Sequence, residues 1–201
     1  MLGYWNKSVY ITYIGAFVSV VGLLLSLETN NVDYAFYGMI IAAVCDMFDG
    51  KVARSLKRNE NEKDFGVQID SLADVIAFIT IPALTLYLFG LRETYQIIIL
   101  ALYVVAGIIR LAYFNVAMSD KDKAIKAYTG LPVPVSVLIF GLVWILDKII
   151  GFDAILVYTL LVPITGYLHI SKIKIKKPTS NYFYTGITIL AIIGIVLGII
   201  F

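Results

Sequence analysis

Cysteine, histidine and charged residues are all scarce in this chain. Of its 201 residues 15% are charged, and it has one cysteine, Cys45, and one histidine, His169. A single cysteine excludes an intramolecular disulfide, and with no motif around it we interpret Cys45 as a small packing residue. Because no His or Cys pair exists, the chain cannot build a zinc site of the usual kind.

Basic residues are also too few to indicate a nucleic-acid partner. The net charge is +2, and the lysines and arginines are dispersed between apolar segments. What the chain has in excess is apolar side chains, with 60% hydrophobic residues and a mean hydropathy of +0.89. A soluble domain of this length would not carry so much apolar surface, so most of the chain is expected to face lipid.

The apolar residues fall in runs that are long enough to cross a bilayer, which takes roughly 20 residues each. The seven runs lie at 9–27, 34–53, 67–89, 95–117, 131–150, 154–171 and 182–201. The connections leave no room for a soluble domain. We therefore predict an all-α fold, a polytopic membrane helix bundle forming a single domain over 1–201. The first run lacks a small-residue cleavage pattern and is followed by further runs, so we expect a retained helix.

Lysine and arginine are concentrated on one side of the predicted bundle. Lys7 precedes the first run, whereas the opposite side carries only Arg92 and Lys148. The segments after the second, fourth and sixth runs carry Arg54, Lys57, Arg58, Lys63, Lys121, Lys123, Lys126, Lys172, Lys174, Lys176 and Lys177. By the positive-inside rule the N-terminus and these segments are cytoplasmic, and the C-terminus is outside. The SKIKIKKP stretch at 171–178 either fixes this orientation or attracts anionic lipid head groups.

Four aspartates lie inside apolar runs, where acidic residues are rare. Asp46 and Asp49 belong to the second run, and Asp70 and Asp74 to the third. An ionised carboxylate at membrane depth costs ~2.5–3.5 kcal/mol even on the lenient insertion scale, or roughly 10 kcal/mol for all four. That sum is comparable with the stability of a whole domain, so something must neutralise the four carboxylates.

Helical periodicity arranges these aspartates in two stripes. The first stripe contains Asp46, Asp49, Gly50, Ala53 and Arg54, and the second contains Gly66, Asp70 and Asp74. Two neighbouring antiparallel helices can turn the stripes toward each other and bring the four carboxylates together. Oxygen ligands of this kind suit Mg²⁺, Mn²⁺ or Ca²⁺, so we predict a site for two divalent metal ions. Such a site can clamp a diphosphate and leave one carboxylate free to take a proton, which indicates phosphoryl transfer.

Small residues accompany both stripes and have two interpretations. They are Gly50, Ala53, Gly66 and Ala73. Small side chains allow membrane helices to pack closely. Alternatively, the bare backbone allows a flat nucleotide and its phosphates to approach.

The segments DMFDGKVAR at 46–54 and GVQIDSLAD at 66–74 resemble the signature of the CDP-alcohol phosphotransferase family. This resemblance implies that Asp46, Asp49, Asp70 and Asp74 are the ligands of a dinuclear site, and that Asp74 is also the base that deprotonates the acceptor hydroxyl. It extends over about 9–177, a six-span catalytic core, and leaves 182–201 as an additional C-terminal span. Homodimers are also implied.

The same resemblance assigns other positions to the CDP-lipid. Gly50, Ala53, Arg54 and Gly66 correspond to positions that hold the cytidine and diphosphate, with Arg54 contacting phosphate oxygens. The alternative for Arg54 is an interface cation that snorkels. Eleven residues separate Arg54 from Gly66, which is more than the family usually has, so we expect an extended cytoplasmic loop there. The stretch NKSVYITYIG at 6–15 is similar to the family's N-terminal pattern and makes Asn6 and Thr12 candidate substrate contacts.

Two further stretches resemble the serine-using branch of the family, the phosphatidylserine synthases. They are RLAYFNV at 110–116 and YTGLPVP at 128–134. The branch implies CDP-diacylglycerol or its archaeal counterpart CDP-archaeol as donor, L-serine as acceptor and CMP as the released product. Arg110 inside an apolar run requires an anion, which the serine carboxylate or the diphosphate supplies. Asn115 is either a polar contact to serine or a polar residue at a helix end.

Prolines mark three places where a helix is expected to be disturbed. The GLPVP stretch at 130–134 interrupts the backbone where the chain re-enters the membrane, and we expect it to shape the edge of a cavity. Pro82 and Pro163 lie within spans, where we predict kinks.

Other functions are compatible with part of this pattern. A sister enzyme acting on glycerol phosphate or an inositol phosphate would need more cationic residues for the second phosphate. A cation transporter also places carboxylates at membrane depth, but its site is reachable from both faces and no inverted repeat is visible. A purely structural bundle would retain four costly carboxylates without a function.

Overall fold

The described part of the chain folds into long helices and one small sheet. The computed structural model describes residues 3–4, 6–119, 127–176 and 181–200. Its helices are α1 Tyr10–Thr29, α2 Asp33–Ser55, α3 Glu60–Asp74, α4 Ile81–Phe89, α5 Thr94–Ser119, α6 Val133–Ile150, α7 Ala154–Ile170 and α8 Asn181–Ile200. A 3₁₀ turn, Lys7–Val9, precedes α1, and a π-helical segment, Val75–Thr80, joins α3 to α4. Strand β1, Ala127–Thr129, pairs antiparallel with β2, Lys174–Lys176. The predicted helical architecture is confirmed.

Each of the seven predicted apolar runs coincides with a helix or a continuous helical stretch in the described part of the chain. Four such stretches are long and apolar enough to cross a membrane: Lys7–Thr29, Glu60–Phe89, Thr94–Ala117 and Val133–Ile150. Two shorter apolar helices are Ala154–Ile170 and Thr185–Ile200. The division into six core spans and one C-terminal span stays a prediction.

Helices α1 and α2 form a tightly packed antiparallel hairpin. Asn30, in the left-handed conformation with φ 52°, ends α1. A Cβ at Gly22 would lie 2.5 Å from the Tyr34 carbonyl oxygen, and one at Gly38 would lie 2.8 Å from the Val18 carbonyl oxygen. The small residues that bring these membrane helices together are therefore on α1 and the first half of α2. This close approach sets the position of α1 against the aspartates at the other end of α2.

Helix α3 begins earlier than the sequence analysis expected. Asn59 caps it by accepting a 2.8 Å hydrogen bond from the Glu62 amide, and the Glu62 carboxylate accepts a 2.8 Å bond from the Asn59 amide. This reciprocal capping box starts the helix at Glu60 and leaves only residues 56–59 non-helical between α2 and α3. The expectation of an extended loop was wrong, because much of the longer connection adds turns to α3.

The two prolines expected to kink spans have different surroundings. Pro82 follows the π-helical segment, in the first turn of α4, and the helical register changes just before it. Pro163 lies inside α7, which is helical from Ala154 to Ile170.

An aromatic cluster fills the bundle at the end away from the aspartates. Phe36 stacks on Trp144 with ring centroids 5.1 Å apart. Asp33, in the first turn of α2, accepts a 2.9 Å hydrogen bond from Trp144 Nε1 and a 2.8 Å bond from Lys148 Nζ. These contacts fix the first half of α2 against α6. The second half of α2, which carries Asp46 and Asp49, is therefore held in position by the same helix.

Candidate functional site

Three of the predicted metal ligands lie together at the interface of α2 and α3. Asp46 and Asp49 from α2 and Asp70 from α3 each offer a carboxylate oxygen, and these oxygens all lie within 4.8 Å of one another. Asp74 is one turn further along α3 and lines the same small cavity as Asp46 and Asp49. The rest of the cavity lining consists of Thr12, Gly15, Ala16, Ala42, Cys45, Ala73, Ala77 and Phe78.

The carboxylates are close enough to require a counter-charge. Asp49 is buried, and its carboxyl group lies within hydrogen-bonding reach of the Asp70 carboxyl. Two ionised carboxylates this close repel strongly where water is scarce. Oxygen donors alone, carried on two rigid helices, match the preferences of hard divalent cations. The donor set therefore fits a divalent metal ion.

Thr12 contacts one of these carboxylates directly. Its hydroxyl donates a 3.0 Å hydrogen bond to Asp49 Oδ2. The residue was predicted as a substrate contact, and the structure places it where it orients a candidate metal ligand. Cys45 lies nearby on α2, where its Cβ would be 3.2 Å from a Cβ at Gly15, as expected for a packing residue.

Asn6 connects the N-terminal segment to the α2–α3 connection. Its Oδ1 accepts a 3.0 Å hydrogen bond from the Ser8 amide, and its Nδ2 donates a 3.4 Å bond to the Lys57 carbonyl. An open groove at this end of the bundle is lined by Asn6, Lys7, Tyr10, Leu56 and Lys57. Asn6 thus lies beside a basic groove at the end of the bundle where α3 begins.

The positions assigned to the CDP-lipid follow α2 and α3 outward from the aspartates. Gly50, Ala53 and Gly66 are half-buried, and the side chain of Arg54 lies outside the described residues. A Cβ at Gly66 would lie 3.5 Å from Arg58 Nη1, an ordinary contact distance. Gly66 therefore does not mediate a close helix contact of the kind seen at Gly22. The sequence analysis counted Arg58 only among the basic residues of one side of the bundle and did not predict its position beside Gly66. The available signal was its place directly before Asn59, the N-cap of α3.

Arg110 is buried on α5 near Asp74. It is 5% exposed, its Nε donates a 3.0 Å hydrogen bond to the Leu131 carbonyl, and its guanidinium lies 5.2 Å from the Phe114 ring centroid. The guanidinium is close enough to Asp74 to interact with it electrostatically. A buried cation is thus positioned beside the predicted base.

His169 meets the same carbonyl group as Arg110. Its Nδ1 lies 2.9 Å from the Leu131 carbonyl oxygen, and its Nε2 is buried without a hydrogen-bond partner among the described residues. Gly130 precedes this carbonyl with φ +76°, and the Gly130 amide donates a 2.8 Å bond to the Ile173 carbonyl. The GLPVP stretch is therefore folded against the end of α7, beside Arg110. Sequence reasoning noted His169 as isolated and gave no sign of this contact.

Asn115 lies opposite the turn between Asp70 and Asp74. Its Oδ1 accepts a 2.8 Å hydrogen bond from the Ser71 hydroxyl, which joins α5 to α3. Ser71 was not singled out from the sequence. Ser71 follows Asp70 directly on α3, and Asn115 lies five residues after Arg110 on α5.

Comparisons with known proteins agree with this geometry. Residues 5–197 match the family model described as CDP-alcohol phosphatidyltransferase. The CDP-diacylglycerol–serine O-phosphatidyltransferase of Saccharomyces cerevisiae is 32% identical over 158 residues, which is 73% of this chain and 56% of that protein. The archaetidylserine synthase of Methanothermobacter thermautotrophicus is 37% identical over 115 residues, 57% of this chain and 47% of that protein. A CDP-diacylglycerol–serine O-phosphatidyltransferase of Methanocaldococcus jannaschii is 27% identical over 193 residues, 92% of this chain and 83% of that protein.

The chain spans about half the length of the first two of these relatives. The family uses divalent metal ions, which agrees with the aspartate cluster. Four apolar helices and this family match identify an integral membrane protein. Because the family model covers nearly all of the sequence, the chain belongs to the CDP-alcohol phosphatidyltransferase family.

Proposed function

We propose that this protein transfers the phosphatidyl group of CDP-diacylglycerol, or the corresponding group of CDP-archaeol, to the hydroxyl of L-serine and releases CMP. The observation that carries the proposal is the convergence of Asp46, Asp49 and Asp70 within 4.8 Å, with Asp74 on the same cavity. The names of the similar proteins support serine as the acceptor.

Asp46, Asp49, Asp70 and Asp74 would hold two divalent ions, Mg²⁺, Mn²⁺ or Ca²⁺. When bound, such ions neutralise the diphosphate and stabilise the charge that develops on the departing CMP. Thr12 keeps the Asp49 carboxylate in place through its 3.0 Å hydrogen bond. The carboxylates themselves come from two rigid helices, so little reorganisation is needed for binding.

Asp74 acts as the base in this proposal. Its carboxylate takes the proton of the serine hydroxyl while the serine oxygen forms a bond to the lipid-side phosphorus. The bond from that phosphorus to the bridging oxygen breaks, and CMP leaves with the electron pair. Gly50, Ala53, Arg54 and Gly66 hold the CDP moiety beside the carboxylates.

Arg110 holds the carboxylate of the acceptor. It is buried beside Asp74, so a carboxylate bound to its guanidinium would bring the serine hydroxyl close to the base. The hydrogen bond from Ser71, one residue after Asp70, to Asn115 supports a polar contact between Asn115 and the same amino acid. Asn6 lies further out, beside the basic groove, and would contact the nucleotide end of the donor.

A CMP-release assay on the purified full chain in detergent tests the function. CDP-diacylglycerol and CDP-archaeol are compared as donors, and L-serine, glycerol 3-phosphate and inositol phosphate as acceptors, with Mn²⁺ or Mg²⁺. We expect CMP release that depends on serine and on metal. Release with glycerol 3-phosphate but not with serine would show that the protein is a sister enzyme of the same family.

Two substitutions test the residue roles. Asp74→Asn should abolish CMP release, and full activity of this variant would overturn the mechanism. Arg110→Lys should raise KM for serine and leave KM for the CDP-lipid unchanged, because a lysine cannot reproduce the paired hydrogen bonds of a guanidinium. Arg92→Lys, at an exposed arginine on the α4–α5 connection, is the control.

The proposed enzyme is a single membrane domain with six core spans and an additional C-terminal span, works from the cytoplasmic face and forms homodimers. Asn6 bonds to the Lys57 carbonyl, which supports the same side of the membrane for the N-terminus and the α2–α3 connection. Strand β1 pairs with β2, which supports the same side for the α5–α6 and α7–α8 connections. Labelling of single cysteines introduced at Lys57 and Arg92 in sealed vesicles tests the orientation. Light scattering of the purified protein in detergent tests the dimer.

A further inference from the structure

The helix that carries Asp70 and Asp74 changes its hydrogen-bond pattern immediately after Asp74. The π-helical segment Val75–Thr80 begins at the next residue and is followed by α4. A π-helical turn adds a residue to the turn and is frequent at functional sites. The direction of Asp74 relative to the buried face of α4 therefore depends on whether this turn is present.

Pro82 explains why the turn needs a partner from another helix. Proline has no amide hydrogen, so the carbonyl of Phe78, four residues earlier, cannot receive the usual helical hydrogen bond. The Tyr103 hydroxyl of α5 donates a 2.9 Å hydrogen bond to this Phe78 carbonyl. Tyr103 is 1% exposed, so no water competes for the bond.

One face of α5 contacts the whole region. A Cβ at Gly107 would lie 2.7 Å from Ile79 Cδ1, so the absence of a side chain admits the π-helical segment. Arg110, one turn further along α5, interacts with Asp74 electrostatically. Tyr103, Gly107 and Arg110 thus lie on one stripe of α5, which passes Phe78 and Ile79 and ends within electrostatic reach of Asp74.

The Tyr103 hydroxyl is itself held from a third helix. Ser136 Oγ in the first turn of α6 lies 3.0 Å from it and 2.7 Å from the Val133 carbonyl oxygen, so the single Ser136 hydroxyl hydrogen can be donated to either acceptor. Helix α6 follows directly from the GLPVP stretch, whose Leu131 carbonyl accepts the Arg110 hydrogen bond. The hydroxyl is therefore fixed between α5, α6 and the π-helical segment.

We propose that Tyr103 is a positioning residue that maintains the π-helical turn and through it the direction of the Asp74 carboxylate. The proposal rests on the proposed role of Asp74 as base. Tyr103 does not touch substrate; its hydroxyl donates to the Phe78 carbonyl, for which Pro82 cannot be the α-helical donor, and so stabilises the turn in the bundle.

A matched tyrosine separates positioning from ordinary stability. Tyr158 is also fully buried, and its hydroxyl donates a 2.8 Å hydrogen bond to the Phe140 carbonyl in α6, away from the aspartates. Tyr103→Phe removes a hydroxyl from the Phe78 carbonyl and Ser136 Oγ, and Tyr158→Phe removes one from the Phe140 carbonyl and the Trp144 backbone. Both should lower the thermal unfolding temperature by similar amounts.

Only Tyr103→Phe should change catalysis. We expect its kcat for serine-dependent CMP release to fall by about ten- to a hundredfold, since small displacements of a reacting group have effects of this size. KM for the CDP-lipid should be unchanged. The proposal is wrong if Tyr103→Phe retains the wild-type kcat, or if Tyr158→Phe loses as much.

Pro82→Ala tests the same turn without removing any hydrogen bond. The new amide can donate to the Phe78 carbonyl and allow a regular α-helix, so we expect an equal or higher unfolding temperature together with a lower kcat. Wild-type kcat in this variant would show that the π-helical turn is dispensable. If the wild-type protein itself releases no CMP with serine, the proposed function has failed, whereas an active wild type with active variants overturns only the role of Tyr103.

Discussion

The hydroxyl of Thr12 in the first turn of α1 donates a 3.0 Å hydrogen bond to Oδ2 of Asp49 in the second half of α2. The bond joins the N-terminal helix to the aspartate cluster, and the close packing at Gly22 and Gly38 keeps the two helices at the distance it needs. Partners of this kind fix the orientation of a metal-binding carboxylate.

Thr12→Val should weaken metal binding more than catalysis. Removing the hydroxyl leaves Asp49 free to turn, and such losses typically reduce metal affinity by about tenfold or more. We expect a higher Mn²⁺ concentration for half-maximal activity, with kcat at saturating Mn²⁺ near that of the wild type. Thr12→Ser should behave as the wild type.

Thr85→Val is the matched control for this substitution. Its hydroxyl is buried without a hydrogen-bond partner among the described residues, so its removal should leave Mn²⁺ activation unchanged. Equal Mn²⁺ activation in Thr12→Val and the wild type would contradict the assignment of Thr12.

Asp49→Asn should make the metal-free protein more stable and the enzyme inactive. Two carboxylates about 4 Å apart repel by ~4 kcal/mol at an effective dielectric constant of ~20, and the substitution removes one charge from the cluster. In EDTA we expect its unfolding temperature to exceed that of the wild type. Adding Mn²⁺ should stabilise the wild type much more than the variant.

Asp49→Asn is thus expected to have the higher unfolding temperature in EDTA and the wild type the higher one in Mn²⁺. This reversal distinguishes a metal site from a structural cluster of carboxylates. Glu28→Gln, at an exposed acidic residue on α1, provides the control and should respond to Mn²⁺ as the wild type does. Equal stabilisation of Asp49→Asn and the wild type by Mn²⁺ would exclude Asp49 as a ligand.

Gly130→Ala should destabilise the bundle and reduce activity. Gly130 has φ +76°, and a Cβ there would clash with the His169 carbonyl oxygen. An alanine at this φ costs roughly 1–3 kcal/mol of backbone strain. Its Cβ also clashes with α7 and would displace the GLPVP stretch from that helix. The measurements are thermal unfolding and serine-dependent CMP release.

Gly151→Ala separates these two effects. Gly151 has a similar φ of +71°, but no described heavy atom lies within 4 Å of the Cβ position. It should show the strain alone and keep its activity. If the two alanine variants lose equal stability and activity, the contact with α7 has no role in the site.

Gly22→Ala should separate α1 from α2 and disturb the site at the far end of α1. Its Cβ would lie 2.5 Å from the Tyr34 carbonyl oxygen, so the helices must move apart. We expect a lower unfolding temperature and a higher Mn²⁺ requirement, because the Thr12 hydrogen bond to Asp49 lengthens.

Gly186→Ala is the control for a glycine in an apolar helix. No described heavy atom lies within 4 Å of its Cβ position, so the alanine should be neutral or stabilise α8 by up to ~1 kcal/mol. A wild-type Mn²⁺ requirement in Gly22→Ala would show that α1 does not control the aspartates.

The helices and the candidate metal ligands could be predicted because the information for them is local. Apolar runs of membrane length specify helices wherever they pack, and four-residue spacing places Asp70 and Asp74 on one face whatever faces them. The start of α3 also depends on residues close in sequence, Asn59 and Glu62, but the polar composition of that stretch led to the prediction of a loop. The capping box instead starts a helix at Glu60.

The surroundings of those ligands could not be predicted in the same way. The contact of Thr12 with substrate stays a prediction, and its hydrogen bond to Asp49, 37 positions away, was not predicted. Arg110 was expected to need an anion, and the structure adds the Leu131 carbonyl that it shares with His169. Nothing in the pattern around Tyr103 or Pro82 indicated that one compensates the other.

The sequence by itself therefore determined that this is a membrane helix bundle with carboxylates on two helical stripes, since length, hydropathy and spacing act within a helix. Only the tertiary structure decided which side chains orient those carboxylates. Contacts such as Tyr103 with Phe78 and Thr12 with Asp49 join distant segments, and their existence depends on which helices are neighbours and on how closely glycines such as Gly22 and Gly107 let them approach.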